Sequence, residues 1–210
     1  MFSSAQAKAW IDASATVIEA NAAPLTKLDQ AIGDGDHGSN MARGFRAVRE
    51  RVGGLEDPDL GAIFKGVSIA LISKVGGASG PLYGSFYLGL AKSFGDAAEV
   101  DDEGLAKALR AGLDGIIARG KGQLEDKTMI DALSPALDAL EAAVGEGKPL
   151  GEALDAAEAA AADGVKATIP LIARKGRASY LGERSRDHQD PGATSSHLII
   201  KALADTVNGR

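Results

Sequence analysis

Apolar residues return at three- and four-residue intervals along almost the whole chain, and this spacing constrains the fold more than any other feature. Trp10, Ile11, Val17 and Ile18 form one stripe, Met41, Phe45, Val48 and Val52 a second, and Leu60, Ile63, Phe64, Val67 and Leu71 a third. Others run through Leu82, Phe86 and Leu90, through Leu105, Leu109, Ile116 and Ile117, and through Ile130, Leu133, Leu137, Leu140 and Val144. The last two cover Leu150 to Ile172 and Leu198, Ile199, Leu203 and Val207. Such spacing puts each set on one face of an α-helix, so the pattern predicts about eight amphipathic helices and an all-α fold. The same residues disfavour a sheet, because aromatics are only 4% of the chain, β-branched runs are short, and Ala and Leu recur throughout.

Pro24, Gly53-Gly54, Gly76-Gly77, Gly120, Gly145 and Gly147 interrupt the stripes. Proline has no N–H to donate and glycine accepts the left-handed backbone that ends a helix, so these positions read as stops. Short connections make successive helices antiparallel, which points to an up-and-down bundle or barrel. No fixed-period repeat is present, and the Ala-rich run from Ala153 to Ala162 reads as a close-packing helix. At 210 residues with no visible boundary, residues 1–210 read as a single domain.

A net charge of -6 argues against non-specific nucleic-acid binding, which needs an excess of Lys and Arg. The absence of cysteine excludes disulfides, thiolate metal sites and cysteine nucleophiles, and is compatible with a reducing cytoplasm. Met1 to Ala20 carries Asp12 and Glu19 and lacks a charged-then-apolar leader pattern, and no stretch approaches about 18 uninterrupted apolar residues. Neither export nor membrane insertion is expected.

The most informative segment is LDQAIGDGDHGSNM, Leu28 to Met41, with Asp29, Asp34 and Asp36 among three glycines. If the three carboxylates converge, cations must offset their repulsion, and an oxygen-only set of this kind suits Mg²⁺ or Ca²⁺. The competing reading is a solvated turn in which the aspartates bond their own backbone. Gly33, Gly35 and Gly38 spell G-x-G-x-x-G, but a dinucleotide loop should follow a strand, and the intervening aspartates would repel a pyrophosphate unless metals intervened. An EF-hand loop starting at Asp34 would need Glu where Phe45 stands, and no Walker A sequence is present.

Three further segments carry weaker signals. VGGASGPLYG, Val75 to Gly84, places Ala78 and Ser79 at a helix N-terminus, where amides attract phosphate, or else simply connects two helices with Ser79 as a cap. ARKGRASYLGERS, Ala173 to Ser185, concentrates positive charge in an acidic chain and leads into HQDPGATS, His188 to Ser195. Together they form a long irregular region that is either a phosphate clamp or a solvated basic loop. In DKTM, Asp126 to Met129, Asp126 or Thr128 caps a helix, and Met129 either joins the core or packs on a ligand. Of the histidines, His37 lies beside the carboxylates and reads as a residue that contacts phosphate or orients a carboxylate, His197 reads as structural, and His188 is undecided.

In combination and order these segments resemble the DhaL family, the small nucleotide-binding subunit of bacterial dihydroxyacetone kinases, also found as a C-terminal domain of single-chain ATP-dependent enzymes. The resemblance spans nearly the whole chain and is carried by LDQAIGDGDHGSNM, GGASGPLYG, DKTM, ARKGRASYLGERS and HQDPGATS. It implies an eight-helix antiparallel up-and-down barrel with the nucleotide at one end. It further implies that Asp29, Asp34 and Asp36 bind two Mg²⁺ ions bridging to the phosphates of ADP or ATP. His37, Gly38, Ser39, Asn40, Ala78 and Ser79 would then line the phosphate region. Gly120, Met129, Arg177, Asp190, Pro191 and Gly192 would surround the rest of the nucleotide. One departure is Gly35, where some relatives carry Ala, which should loosen the loop slightly.

The implied chemistry is phosphoryl transfer to a terminal hydroxyl of dihydroxyacetone, with the metals and Arg177 compensating charge and His37 at the phosphates. The ketone would sit on a separate DhaK subunit, held covalently through a histidine, so this chain supplies half of the active site. The resemblance favours tightly held ADP recharged by DhaM, a phosphohistidine protein of the phosphoenolpyruvate system, over exchange of free ATP. Left open are an ATP-dependent kinase for a related ketose such as erythrulose, a nucleotide-sensing partner of a transcription regulator, and a metal-dependent phosphohydrolase. The oligomeric state is also open, a homodimer included.

Overall fold

The structure, a computed structural model, describes residues 1–210. Nine α-helices follow in order: α1 (Ser4–Ala20), α2 (Ala22–Ile32), α3 (His37–Gly53), α4 (Leu60–Lys74), α5 (Ser79–Phe94), α6 (Asp102–Gly120), α7 (Ile130–Gly145), α8 (Leu150–Ala167) and α9 (Pro191–Asn208). A 3-10 segment, Arg177–Ser185, and two short strands, β1 (Phe2–Ser3) and β2 (Glu99–Val100), complete the chain.

Eight of these helices are the eight apolar stripes, and α2 is an addition that the stripes did not reveal. Pro24 reads as a stop, yet it is the third residue of α2. In a first turn the amide has no intrahelical acceptor, so proline starts a helix there without losing a bond. The actual break is Asn21, whose backbone N–H and side-chain amide both donate to the Val17 carbonyl, at 3.1 and 2.8 Å.

The eight predicted helices form a closed ring in which α1, α3, α4, α5, α6, α7, α8 and α9 each pack on the next and α9 packs back on α1. Neighbours run antiparallel. Lys8 donates to the Leu55 carbonyl while Arg49 pairs with Asp12 and Glu19, which runs α1 against α3. His197 bonds Glu158 while Asn208 bonds Asp155, which runs α8 against α9. α5 and α6 approach closely because Gly89 faces the Ala111 carbonyl, where a Cβ would overlap it.

The barrel is filled by one apolar cluster. Its aromatic part joins Phe2, Trp10, Phe64, Tyr87 and Phe94, with centroids 5.3 Å apart for Phe64 and Phe94 and 5.5 Å for Trp10 and Phe64. The buried Trp10 indole N–H donates to the Ile199 carbonyl at 3.0 Å, so its polar atom is satisfied. β1 pairs antiparallel with β2, Phe2 opposite Val100, and seals this end. No helix is long and apolar enough to cross a membrane.

In an up-and-down ring every second connection lies at the same end. Here those are residues 33–36, 75–78, 121–129 and 168–190, the stretches that contain the chemistry-bearing motifs. The topology alone therefore gathers segments far apart in sequence, and α2 closes over them against α3, α9 and the 3-10 segment.

Candidate functional site

The first of these connections is organised by its own aspartate. Asp29, in the last turn of α2, accepts through Oδ2 from the Asp36 and His37 amides at 2.8 and 3.0 Å. Its carbonyl accepts from Gly33 N–H at 2.5 Å. Gly35 sits at φ +74, a left-handed conformation that glycine adopts without a Cβ penalty. Asp36 precedes the first residue of α3 yet makes no side-chain cap bond, so its carboxylate stays clear of the helix amides.

Asp29 thus folds the loop that presents Asp34 and Asp36, and the backbone-bonding reading holds for Asp29 alone. One carboxylate oxygen from each of the three lies within 4.8 Å of the others. Only Asp34 has a cationic partner, Arg177, with Nε 2.9 Å from Oδ2. A hard, oxygen-only donor set with this convergence of charge fits Mg²⁺, which keeps further positions for water and phosphate oxygens.

A cavity of about 510 Å³ opens above this cluster. Its wall takes Asp29, Asp34, Asp36 and His37 from the first connection, Ala78 and Ser79 from the second, and Met129 from the third. Arg177, Asp190, Pro191 and Gly192 come from the fourth. A larger open groove, about 640 Å³, lies on the outer face between α5 and α6 and is lined by Leu88, Gly89 and Gly115 among others. It is the cleft left by the close approach of two glycine-bearing helices and draws on none of the four connections.

Four of the anticipated residues lie off the cavity wall. Gly38 packs α3 on α2, where a Cβ would overlap the Ala22 carbonyl. Ser39 turns its hydroxyl to the Asp36 carbonyl at 2.9 Å, and Asn40 is buried, accepting from Arg43. Gly120 ends α6 and faces Leu82. The backbone N–H groups of Gly38 and Ser39, like those of Ser79 and Gly80, have no acceptor within the chain. Two helix N-termini, α3 and α5, thereby reach the cavity through His37 and Ser79 with unbonded amides in their first turns, the arrangement that favours an anion.

The opposite wall rests on a residue that the sequence did not single out. Lys127, at φ +62 and almost wholly buried, donates through Nζ to the carbonyls of Thr168, Leu171 and Ile169 at 2.7, 3.0 and 3.3 Å. It ties the third connection to the fourth. A lysine between two capping candidates reads as a surface residue, and only the tertiary fold gives it three carbonyls. Asp131 accepts from the Glu125 and Thr128 amides at 2.5 and 2.7 Å and fixes the same loop.

Asp190 caps α9 by accepting from Ala193 N–H at 2.7 Å, and its own amide donates to Thr168 Oγ1 at 3.1 Å. Burial pushes its carboxyl up to about 7, against the helix amides and Lys127, while Asp131 adds to the rise. Burial likewise lowers the Lys127 ammonium. Met129 precedes α7 and belongs to the apolar core, as the first of its two sequence readings expects, and it also lines the cavity.

The long irregular region is more ordered than the sequence suggests. Residues 177–185 form the 3-10 segment, preceded by Gly176 and kinked at Gly182, both at positive φ. Ser185 pins it by accepting from Ala173 N–H at 2.9 Å and donating to the Gly182 carbonyl at 2.6 Å. Arg177 and Tyr180 stay exposed at the mouth, Tyr180 at 87%.

His37 is buried, with Nδ1 3.2 Å from Ser79 Oγ and Nε2 2.8 Å from Ser195 Oγ. Burial holds its pKa below the usual value, opposed by Asp29, Asp36 and the Pro191 carbonyl. Tyr83, Ser195 and Ser196 support it from behind; Tyr83 and Ser195 fall within the quoted motifs but, like Ser196, carry no role there, because sequence spacing gives no sign that these hydroxyls converge. His188 is exposed and off the cavity wall, and His197 pairs with Glu158 at 2.7 Å on the outer side of α9, as expected for a structural residue.

Comparison with known proteins agrees with this architecture. The family model described as the DAK2 domain matches residues 31–205. The chain is 45% identical over 197 residues to the PEP-dependent dihydroxyacetone kinase 1, ADP-binding subunit DhaL, of Listeria innocua, covering 94% of this chain and 93% of that protein. It is 42% identical over 195 residues to the corresponding ADP-binding subunit DhaL of Escherichia coli, covering 93% of each. Among solved structures, the dihydroxyacetone kinase from C. freundii in complex with AMP-PNP and Mg²⁺ superposes with a TM-score of 0.74 at 28% identity. That match covers 96% of this chain and 34% of the kinase chain, so this chain spans about a third of it.

Proposed function

Since the chain belongs to the DAK2-domain family, we propose that it is the nucleotide-carrying subunit of a phosphoenolpyruvate-dependent dihydroxyacetone kinase. The observation that carries this reading is the convergence of Asp29, Asp34 and Asp36 at one end of a cavity with open amides of two helix N-termini. The greater identity to ADP-binding DhaL subunits than to the nucleotide-bound single-chain kinase favours ADP as a fixed carrier over free ATP exchange.

Asp29, Asp34 and Asp36 hold two Mg²⁺ ions in this reading. Bound there, the ions would neutralise phosphate oxygens and orient the terminal phosphoryl group. The amides of Gly38, Ser39, Ser79 and Gly80 receive phosphate oxygens, while Met129 and the turn Asp190–Pro191–Gly192 enclose the rest of the nucleotide. Arg177 shares the Asp34 carboxylate in the structure and is exposed, so it is placed to turn from that oxygen onto the transferring group. His37 orients Ser79 beside the phosphates. Residues 1–210 act as one domain.

The acceptor ketone sits on a separate DhaK-type subunit that docks over the mouth beside Arg177 and Tyr180. A DhaM-type phosphohistidine protein recharges the ADP, and the assembly works in the cytoplasm. Reconstitution tests this: the purified chain is mixed with a DhaK subunit and dihydroxyacetone, and product is followed with either phosphoenolpyruvate and its phosphohistidine relay or ATP as donor. Turnover with the relay and little with ATP is expected. Turnover with ATP alone would assign the chain to the exchanging class, and none with either donor would remove the kinase reading.

A further inference from the structure

Two buried side-chain polar atoms have no hydrogen-bond partner in the chain, Ser14 Oγ on α1 and the Tyr87 hydroxyl on α5. Both residues are fully enclosed, at 0% exposure. Burying a hydroxyl without a partner forfeits its bonds to water, so folded proteins pair nearly all such groups with protein or with ordered water. A serine inside a helix often bonds the carbonyl four residues back, but Ser14 makes no such bond to Trp10. Its hydroxyl is therefore turned away from the carbonyls of its own helix.

Helix register brings the two hydroxyls to one level of the barrel. Trp10, one turn before Ser14, has its ring 6.1 Å from that of Tyr87 and donates to the Ile199 carbonyl at 3.0 Å. Because α1 and α9 run in opposite directions, one turn further along α1 brings Ser14 level with Ser195 and Ser196, one turn earlier on α9. α5 begins at the cavity end, and helical side chains lean toward their own N-terminus, so the Tyr87 hydroxyl leans over the turn that carries Tyr83. Tyr83 meets Ser195 Oγ at 2.7 Å, Ser196 Oγ at 2.9 Å and the Gly192 carbonyl at 3.2 Å. Ser196 is also buried, and its Oγ has Tyr83 as its one partner, so it keeps bonding capacity for another.

A molecule that satisfies this layer must be small, must be able both to donate and to accept, and must be neutral, since Ser14, Tyr83, Tyr87 and Ser196 carry no charge to balance an ion. Water meets all three conditions, and a buried water needs two to four polar partners. We propose that the barrel binds one internal water between Ser14 Oγ and the Tyr87 hydroxyl, with Ser196 Oγ as its third partner. The water joins α1 and α5 to α9 between the aromatic seal and the cavity. Through Ser196 and Tyr83 it braces Ser195, whose Oγ lies 2.8 Å from His37 Nε2. The site stands apart from the nucleotide and metal readings.

A crystal structure of the full chain that shows ordered solvent tests the site directly. The expected density is a single water within about 3 Å of both Ser14 Oγ and the Tyr87 hydroxyl. No density there, or a Ser14 hydroxyl turned onto the Trp10 carbonyl, overturns the proposal. Urea unfolding asks separately whether the hydroxyls are satisfied. Tyr87→Phe keeps the ring and removes only the hydroxyl, so its midpoint should fall; an unchanged or raised midpoint marks an unpaired hydroxyl and overturns the proposal. Ser14→Ala should lower the midpoint more in the parent chain than in Tyr87→Phe, where the water is already lost, and equal shifts in the two backgrounds overturn the shared site. The density decides by itself if Tyr87→Phe does not fold.

Discussion

The two ends of the barrel are built from the same eight helices and hold opposite contents. At the end sealed by β1 and β2, Phe2, Trp10, Phe64, Tyr87 and Phe94 interlock, and the Trp10 indole has its carbonyl partner. At the other end three carboxylates converge, helix amides lack acceptors, and an aspartate and a lysine are buried together. The first end contributes stability by removing apolar surface from water. The second gives up some of that gain and keeps groups that a charged ligand can satisfy. The contrast suggests that substitutions at the two ends should separate stability from binding.

The largest effect is expected from Asp34→Ala. Losing an outer partner of a metal site alone costs about 10–100-fold in metal affinity, so losing a ligand should lower Mg²⁺-dependent nucleotide binding by about 100-fold or more. Helical content by circular dichroism should stay unchanged, because Asp34 is exposed and pairs only with Arg177. Trp10→Ala should do the reverse, costing about 3–5 kcal/mol in denaturant unfolding while nucleotide affinity of the folded fraction is retained. A loss of nucleotide binding in folded Trp10→Ala would break the division between the two ends.

Lys127→Met probes the seam between stability and site. It leaves three carbonyls of the fourth connection without their donor, so a loss of about 3 kcal/mol is expected together with weaker nucleotide binding, readable by unfolding and calorimetry. Asp190 supplies a test in pH. Its folded carboxyl titrates near 7 against an ordinary 3.8, so the folded state binds the proton more tightly. The stability it contributes is therefore fully present below about pH 4 and is lost as pH rises toward 7. Asp190→Asn keeps a capping oxygen and should remove that decline in chemical denaturation series, gaining on the parent chain as pH increases. The smallest change is Arg177→Ala, which should alter unfolding by less than about 1 kcal/mol because its ion pair with Asp34 is exposed, yet should slow phosphoryl transfer.

What the sequence made legible follows the same division. The eight ring helices are readable because each buries one apolar face, and the aspartate cluster because three carboxylates among glycines are hard to explain otherwise. α2 escaped notice since Pro24 serves as well to begin a helix as to end one. Lys127 and the Tyr83–Ser195 contact escaped because their meaning lies in partners about 40 and 110 residues away, which periodicity cannot supply. Gly38, Asn40 and Gly120 are recognisable as parts of motifs, but their side-chain positions serve helix packing and not the cavity surface.

The most direct test of the account is the nucleotide carried by the purified protein through gel filtration, released by denaturation and identified by chromatography, with and without prior chelation of Mg²⁺. Close to one ADP per chain, lost on chelation and lost likewise in Asp34→Ala, is the predicted result. A chain that retains no nucleotide and fails to bind added ADP or ATP in the presence of Mg²⁺ would contradict it.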